Sequence, residues 1–270
     1  MSGTDPGTTG IGTFSSTGRF DVSGNIMSLV NGDDFYDTSI IQSYQFYSLF
    51  YYCEYLVHAE NLILPSSNIP QYGYMSMFGD CSSLISTPKL TMTTVGNYGC
   101  AAMFSRCTSL INAPEIYAVN LNDRSFWRLF NNCTSLVKGP SKLPATTLSN
   151  NCYSQMFDYC NELQFGPELP AITLNYDCYY QMFENCYKLN YIKALFLDQP
   201  VSSSVNSYTY QWVSGVASSG IFVKNINATW TEVGTYAVPS NWTVLYFDPL
   251  TDKYYLLDKT TECDDHGNVI

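Results

Sequence analysis

Charge is what this chain has least of. Only 13% of its 270 residues are Asp, Glu, Lys or Arg, and 12 basic residues face 23 acidic ones. The resulting net charge of −11 argues against a surface that displaces counterions from nucleic-acid phosphates, which needs clustered Lys and Arg. It argues equally against attachment to anionic lipid. No segment supplies the roughly 18 consecutive apolar residues of a membrane span. No nucleic acid and no direct membrane insertion are therefore expected. The opening Met1-Ser2-Gly3-Thr4-Asp5-Pro6-Gly7 has neither the basic start nor the apolar run of an export signal. Two expectations follow: a fragment of a longer exported surface protein, or a protein made in the cytoplasm and displayed by assembly into a particle.

Histidine is nearly missing, with only His58 and His266, far apart in the chain. No Ser-His-Asp order, glycine-rich phosphate loop or His-Glu-x-x-His occurs. No Cys-x-x-Cys pair offers a zinc site. A two-carboxylate glycosidase is not excluded by counting acids, but the acids fall at turn positions. The expectation is no enzyme, with catalytic residues, cofactors and metals all none. Asp33, Asp34 and Asp37 read as turn caps rather than a cation site. The ending Cys263-Asp264-Asp265-His266 mixes metal-ligand types but is a weak signal in a polar terminus.

What the chain does have is a repeat. A phenylalanine recurs at Phe50, Phe78, Phe104, Phe130, Phe157 and Phe183, in steps of 28, 26, 26, 27 and 26 residues. Three residues after each comes a cysteine (Cys53, Cys81, Cys107, Cys133, Cys160, Cys186), and three later a leucine (Leu56, Leu84, Leu110, Leu136, Leu163, Leu189). Apolar residues precede each phenylalanine by one position, and aromatics precede it by four in five copies, with Cys100 in the sixth. Offsets of three and four predict a short helix with one buried face. After the leucine, Pro88, Pro114, Pro140 and Pro167 impose extended chain. A unit of this size cannot bury its apolar face alone, so six copies predict an α/β solenoid of short helix-plus-strand coils, with small β caps at both ends. Ten cysteines suggest disulfides at first sight. Nine of them sit at repeat positions, which predicts packed thiols and no disulfide framework.

The wording of Leu143 to Cys160 resembles the BspA-type leucine-rich repeat of Bacteroidetes proteins and their phages. The segments Ser218–Asn225 and Val238–Val244 are similar to the part that closes many such proteins, and Gly10–Phe20 to their lead-in. The resemblance implies a leucine-rich-repeat solenoid and surface recognition or adhesion, with no enzymatic site to carry over. It leads to the expectation of a phage virion component on the virion surface, a fibre, spike or decoration module that binds the host surface. The alternatives are a bacterial cell-surface adhesin module and a carbohydrate-binding module. Partners would be other virion or cell-surface proteins, a host surface protein or a glycan, and further copies of the chain.

The expected organisation is a flexible Gly/Ser/Thr-rich arm over 1–18 and a β cap of two short strands over 19–39. The repeats follow over 40–197, then a C-terminal β cap over 198–247 and a tail over 248–270. Among outward positions, Trp127 flanked by Arg124 and Arg128 is the candidate partner contact, because Trp and Arg dominate interface hot spots. A cation–π pair packed on the edge of the repeat is the equal alternative. Lys89, Glu115, Lys138, Glu168 and Lys193 alternate in sign along the extended runs, as expected for a solvated ladder.

Overall fold

The computed structural model describes residues 12–37, 39–201 and 207–270. Its repeats stack in parallel. Backbone bridges join Leu90 to Ile116, Asn112 to Lys138, Lys138 to Phe165 and Lys142 to Glu168, one repeat apart. The residues from Phe50 to Phe183 that define the copies all lie inside, at 0–3% exposure.

The helix expected in each copy is not there, and the α/β helix-plus-strand solenoid is accordingly not the fold. The only α-helix among the described residues is α1, Ser28–Asn31, outside the repeats. Counting from each phenylalanine as position 0, the backbone is left-handed at positions −6, −2 and +2 of every copy. Tyr98, Ala102 and Arg106 have φ of 55°, 52° and 60°, and Asn151, Gln155 and Tyr159 have 55°, 55° and 60°. A residue with φ near +57° every fourth position cannot belong to a right-handed helix. The chain instead forms a ribbon of four-residue turns.

The hydrogen bonds alternate accordingly. N–H groups at odd positions close turns three residues back, as in Leu49 to Phe46 (3.4 Å) and Cys53 to Phe50 (3.0 Å). N–H groups at even positions reach the next winding: Ser48 to Met75 (2.9 Å), Phe50 to Met77 (2.8 Å), Tyr52 to Gly79 (2.9 Å). Both sets of backbone groups are satisfied, and one of them ties winding to winding.

Two columns of rings fill the interior. Phe50, Phe78, Phe104, Phe130, Phe157 and Phe183 stack with centroids 5.3–5.6 Å apart. A second column at position −4 runs through Phe126, Tyr153 and Tyr179 and ends against Trp212 of the following winding. Beside the first column, each repeat cysteine donates its Sγ–H to the carbonyl of the phenylalanine one winding earlier, at 3.0–3.1 Å. All ten cysteines are free and buried. Burial pushes the Cys133 thiol up to about 12.

The stack extends beyond the six copies. Phe14, within the segment expected to be an arm, stacks on Phe50 at 5.2 Å, donates its N–H to Leu49 (2.9 Å) and accepts the Cys53 thiol (3.0 Å). It thus takes the phenylalanine position of a preceding winding. Residues 1–11 of that arm lie outside the described residues. Strand β1 (Phe20–Asn25) then pairs in parallel with β2 (Leu56–Ile63). The second expected cap strand is instead α1 followed by a 3-10 turn over Gly32–Asp37. Asn25 starts it by accepting the Met27 N–H on its side chain (2.9 Å).

Strands β3 (Asn68–Ile69), β4 (Thr94–Val95) and β5 (Asn120–Leu121) form a parallel ladder on the extended side. At the far end, β6 (Tyr191–Ala194), β7 (Ile221–Asn225) and β8 (Thr243–Asp248) continue in parallel. The hairpin strands β9 (Lys253–Tyr255) and β10 (Glu262–Cys263) then close the sheet in antiparallel fashion. The expected tail over 248–270 thus holds two strands of this five-stranded sheet. Gly220 is obligatory where β7 begins, since a Cβ there would lie 2.3 Å from the Asn190 carbonyl oxygen. Among the described residues no helix is long and apolar enough to cross a membrane.

Two measurements check this backbone and its core. In a helix Ala102→Gly costs about 1 kcal/mol. At φ 52° it relieves the Cβ clash instead, so denaturant melts should show a gain of about 1 kcal/mol. A loss of that size would restore the helix. A thiol reagent should find no reactive cysteine in the native protein and all ten after denaturation without reductant.

Candidate functional site

The left-handed positions form three rows along the outside of the ribbon. Position −6 carries Tyr44, Tyr72, Tyr98, Arg124, Asn151 and Asp177. Position −2 carries Ser48, Ser76, Ala102, Arg128, Gln155 and Gln181, continued by Gln211. Because each winding lies directly on the next, neighbours in a row touch. Tyr44 stacks on Tyr72 with centroids 4.5 Å apart, and Tyr72 on Tyr98 at 5.1 Å. Gln155 donates to Gln181 (2.9 Å), and Gln181 to Gln211 (3.2 Å).

The sequence-predicted trio sits where the tyrosine row meets the glutamine row. Trp127 is half-buried and edge-on to Tyr98 at 6.2 Å. Its indole N–H reaches Gln155 Oε1 at 3.3 Å. The Arg128 guanidinium lies 4.5 Å over the Trp127 ring and donates through Nε to the same Gln155 oxygen (2.9 Å). Arg124 lies 5.4 Å over Tyr98. The three residues are thus brought together, and both arginines stack on rings. Sequence reasoning missed Tyr44, Tyr72, Tyr98, Gln155 and Gln181. Their signal was a shared offset from the phenylalanine, which a helical reading scatters around the axis.

Beside this face the position +1 row places Asn131, Asp158 and Glu184 in successive windings. Asp158 is 5% exposed and accepts the Asn131 amide on Oδ2 (3.1 Å), while its Oδ1 has no partner. Burial, with the Glu184 carboxylate next, pushes Asp158 up to about 7, against the pull of Arg128 and the Asn185 and Asn131 amides. Burial also raises Glu184.

Three other polar groupings combine residue types used in catalysis or metal binding. His58 Nδ1 lies 3.1 Å from Ser86 Oγ, whose proton goes to Glu60. A nucleophilic serine needs its histidine to accept that proton. Here the carboxylate takes it, and the Ser86 hydroxyl and the Glu60 backbone hold Glu60 below the usual range, making it a poor base. Asp264, Asp265 and His266 cluster, but Asp264 is occupied by the N–H groups of His266 (2.9 Å) and Asn268 (2.8 Å) and by the Asn268 amide (2.8 Å). Cys263 beside them points inward at 2% exposure. Lys224 lies 3.8 Å over the Trp230 ring and donates to the Trp230 carbonyl. Burial, then the charge of Lys259, lowers its ammonium to about 8, but at 2% exposure it is closed to a substrate.

Of the alternating charges on the extended side, Glu168 binds both Lys142 (3.1 Å) and Lys193 (3.3 Å). Glu115 instead accepts from Ser141 N–H (2.9 Å) and Oγ (2.6 Å).

No protein-family model matches the sequence, no curated protein matches it, and no solved structure matches the fold.

Asp158 gives this face a titration that stability reports. Its folded-state value of about 7 exceeds its ordinary 3.8, so the folded protein holds the proton more tightly than the unfolded chain. Stability should therefore fall as pH rises from about 4 to 7 and level off above that. Asp158→Asn, which extends the amide of Asn131, should melt higher than the parent at pH 8 and equally at pH 4. Parallel melting curves across that range would show that Asp158 ionises freely in the fold.

Proposed function

We propose that this chain is a non-catalytic recognition and structural protein displayed on a particle surface. The best fit is a fibre, spike or decoration module of a phage virion that engages the host surface. The observation that carries this reading is the set of outward rows, in which each winding offers the same three positions at a fixed axial step. Such a face suits recognition by many repeated contacts. It does not suit catalysis, which needs convergent groups in a water-excluding cleft. The interior is filled by rings and thiols, and the polar clusters outside are spent on turns.

The BspA-type resemblance of the repeats supports the setting of a Bacteroidetes phage or its host. Trp127, Arg124 and Arg128 are the side chains offered to a host protein or glycan. Other virion proteins would hold the stack, and fibres and spikes of this kind assemble as symmetric oligomers.

Gold-labelled antibody against the protein, applied to particles and cells of the producing culture, tests the assignment in negative stain. Gold on the exterior of particles is the expected result. Gold on cell envelopes alone would move the protein to the adhesins, and gold on neither would end the display reading.

A further inference from the structure

The partner's chemistry can be argued further, on the premise that the ribbon face is a recognition surface. This chain has four arginines, and three of them, Arg106, Arg124 and Arg128, lie at left-handed positions of two successive windings. On a chain of net charge −11 that is a local basic island. Arg106 is tied to Asp80 at 3.1 Å. Among the described residues no carboxylate pairs with Arg124 or Arg128, and Arg128 spends only its Nε, on Gln155. Both guanidinium planes lie over rings. Stacking occupies the face of a guanidinium and leaves its in-plane N–H groups, which match the two oxygens of a carboxylate. The carboxyls close to them, Asp177 and Asp158, are buried rather than set against the guanidinium edges, and burial raises both against the pull of Arg124 and Arg128.

The tyrosine row leads into this island. Its rings cover one another face to face at 4.5 and 5.1 Å, so a sugar cannot lie flat between them. Such packing leaves ring edges and phenol groups to line the row. On the other side the glutamine amides repeat at the same step. A line of polar groups recurring at a constant interval fits a polymer whose own hydroxyls recur along its length. A folded protein surface has no such recurrence.

We propose that the Tyr72–Tyr98–Trp127 edge with Arg124 and Arg128 binds a linear carboxylated polysaccharide laid along the stack. A uronate carboxylate would sit on the arginine pair, with neighbouring sugar hydroxyls on the phenol and amide rows.

Affinity electrophoresis of the full chain through gels containing polygalacturonate, dextran or polyglutamate tests this. An acidic protein is repelled by polyanions in general, so retention reports the island. The expected result is retardation by polygalacturonate alone. In Arg124→Asn/Arg128→Gln, which copies Asn151 and Gln155 of the next winding and so suits the same backbone, affinity should fall roughly tenfold or more through lost charge-assisted hydrogen bonds. Arg128→Lys keeps the charge without the fork and should also bind several-fold more weakly. Free passage through polygalacturonate, equal retardation by polyglutamate or dextran, or unchanged retardation of the variants would each overturn the proposal. Gold-labelled particles together with free passage would remove the polysaccharide and leave the display reading standing.

Discussion

The division of backbone N–H groups between two destinations is the constraint on which this molecule depends. In a helix every N–H is consumed within its own segment, and neighbouring segments meet only through side chains. Here half the N–H groups of each ribbon close local turns and half donate to the next winding. The cost is a left-handed residue at every fourth position, about 1–2 kcal/mol each for side chains other than glycine. The return is a continuous ladder from Phe14 through the windings to Thr235, which accepts from Val213. That ladder sets the axial step at which the rings stack and the thiols meet carbonyls. It makes the core a pair of columns rather than a cluster.

The repeat was legible because Phe, Cys and Leu recur at one register, and buried positions tolerate little variation in volume. The ribbon was not. Positions −4, −1, 0 and +3 share a face in a helix of 3.6 residues per turn, and they share one equally in turns of four. Over eight residues the two periods do not diverge enough to separate. Glycine would have betrayed the left-handed positions, but they are held by Tyr, Ser, Ala, Arg, Asn, Asp and Gln. Asn and Asp visit that region readily, whereas Tyr and Arg give no such hint. Phe14 escaped notice for a different reason. It stands 36 residues before Phe50, and Thr17 follows where a cysteine should. Its place in the column comes from the Cys53 thiol and the Leu49 carbonyl, contacts that no local pattern encodes.

The candidate site was legible only as an anomaly. Trp127 stood out because it takes the place of Ser154 and Tyr180 in other copies, and Arg124 and Arg128 because arginine is scarce. What the sequence could not convey is that these three touch Tyr98 in the winding before and Gln155 in the winding after. Those contacts join positions −6, −3 and −2 of three different copies. They exist only once the axial step is known, and that step follows from the backbone ladder.

The same geometry explains why charge is both scarce and unevenly placed. In a stack with a constant step, any residue type repeated at one position meets itself one winding away. Rings and amides gain from that meeting, through stacking or an amide-to-amide hydrogen bond. Like charges lose, and two successive carboxyls show it: Glu184, one winding on, adds to the cost of ionising Asp158 on top of burial. A charged residue is therefore tolerated where its neighbours in the row are neutral or opposite. Glu168 satisfies this between Lys142 and Lys193, and Arg106 does beside Asp80. Arg124 and Arg128 satisfy it by lying on rings. They have the compatible neighbours that the stack demands, and among the described residues no carboxylate forms an ion pair with either. A pair of cations held on rings, without a bidentate carboxylate partner, is stable within the fold and still has its strongest interaction left to make.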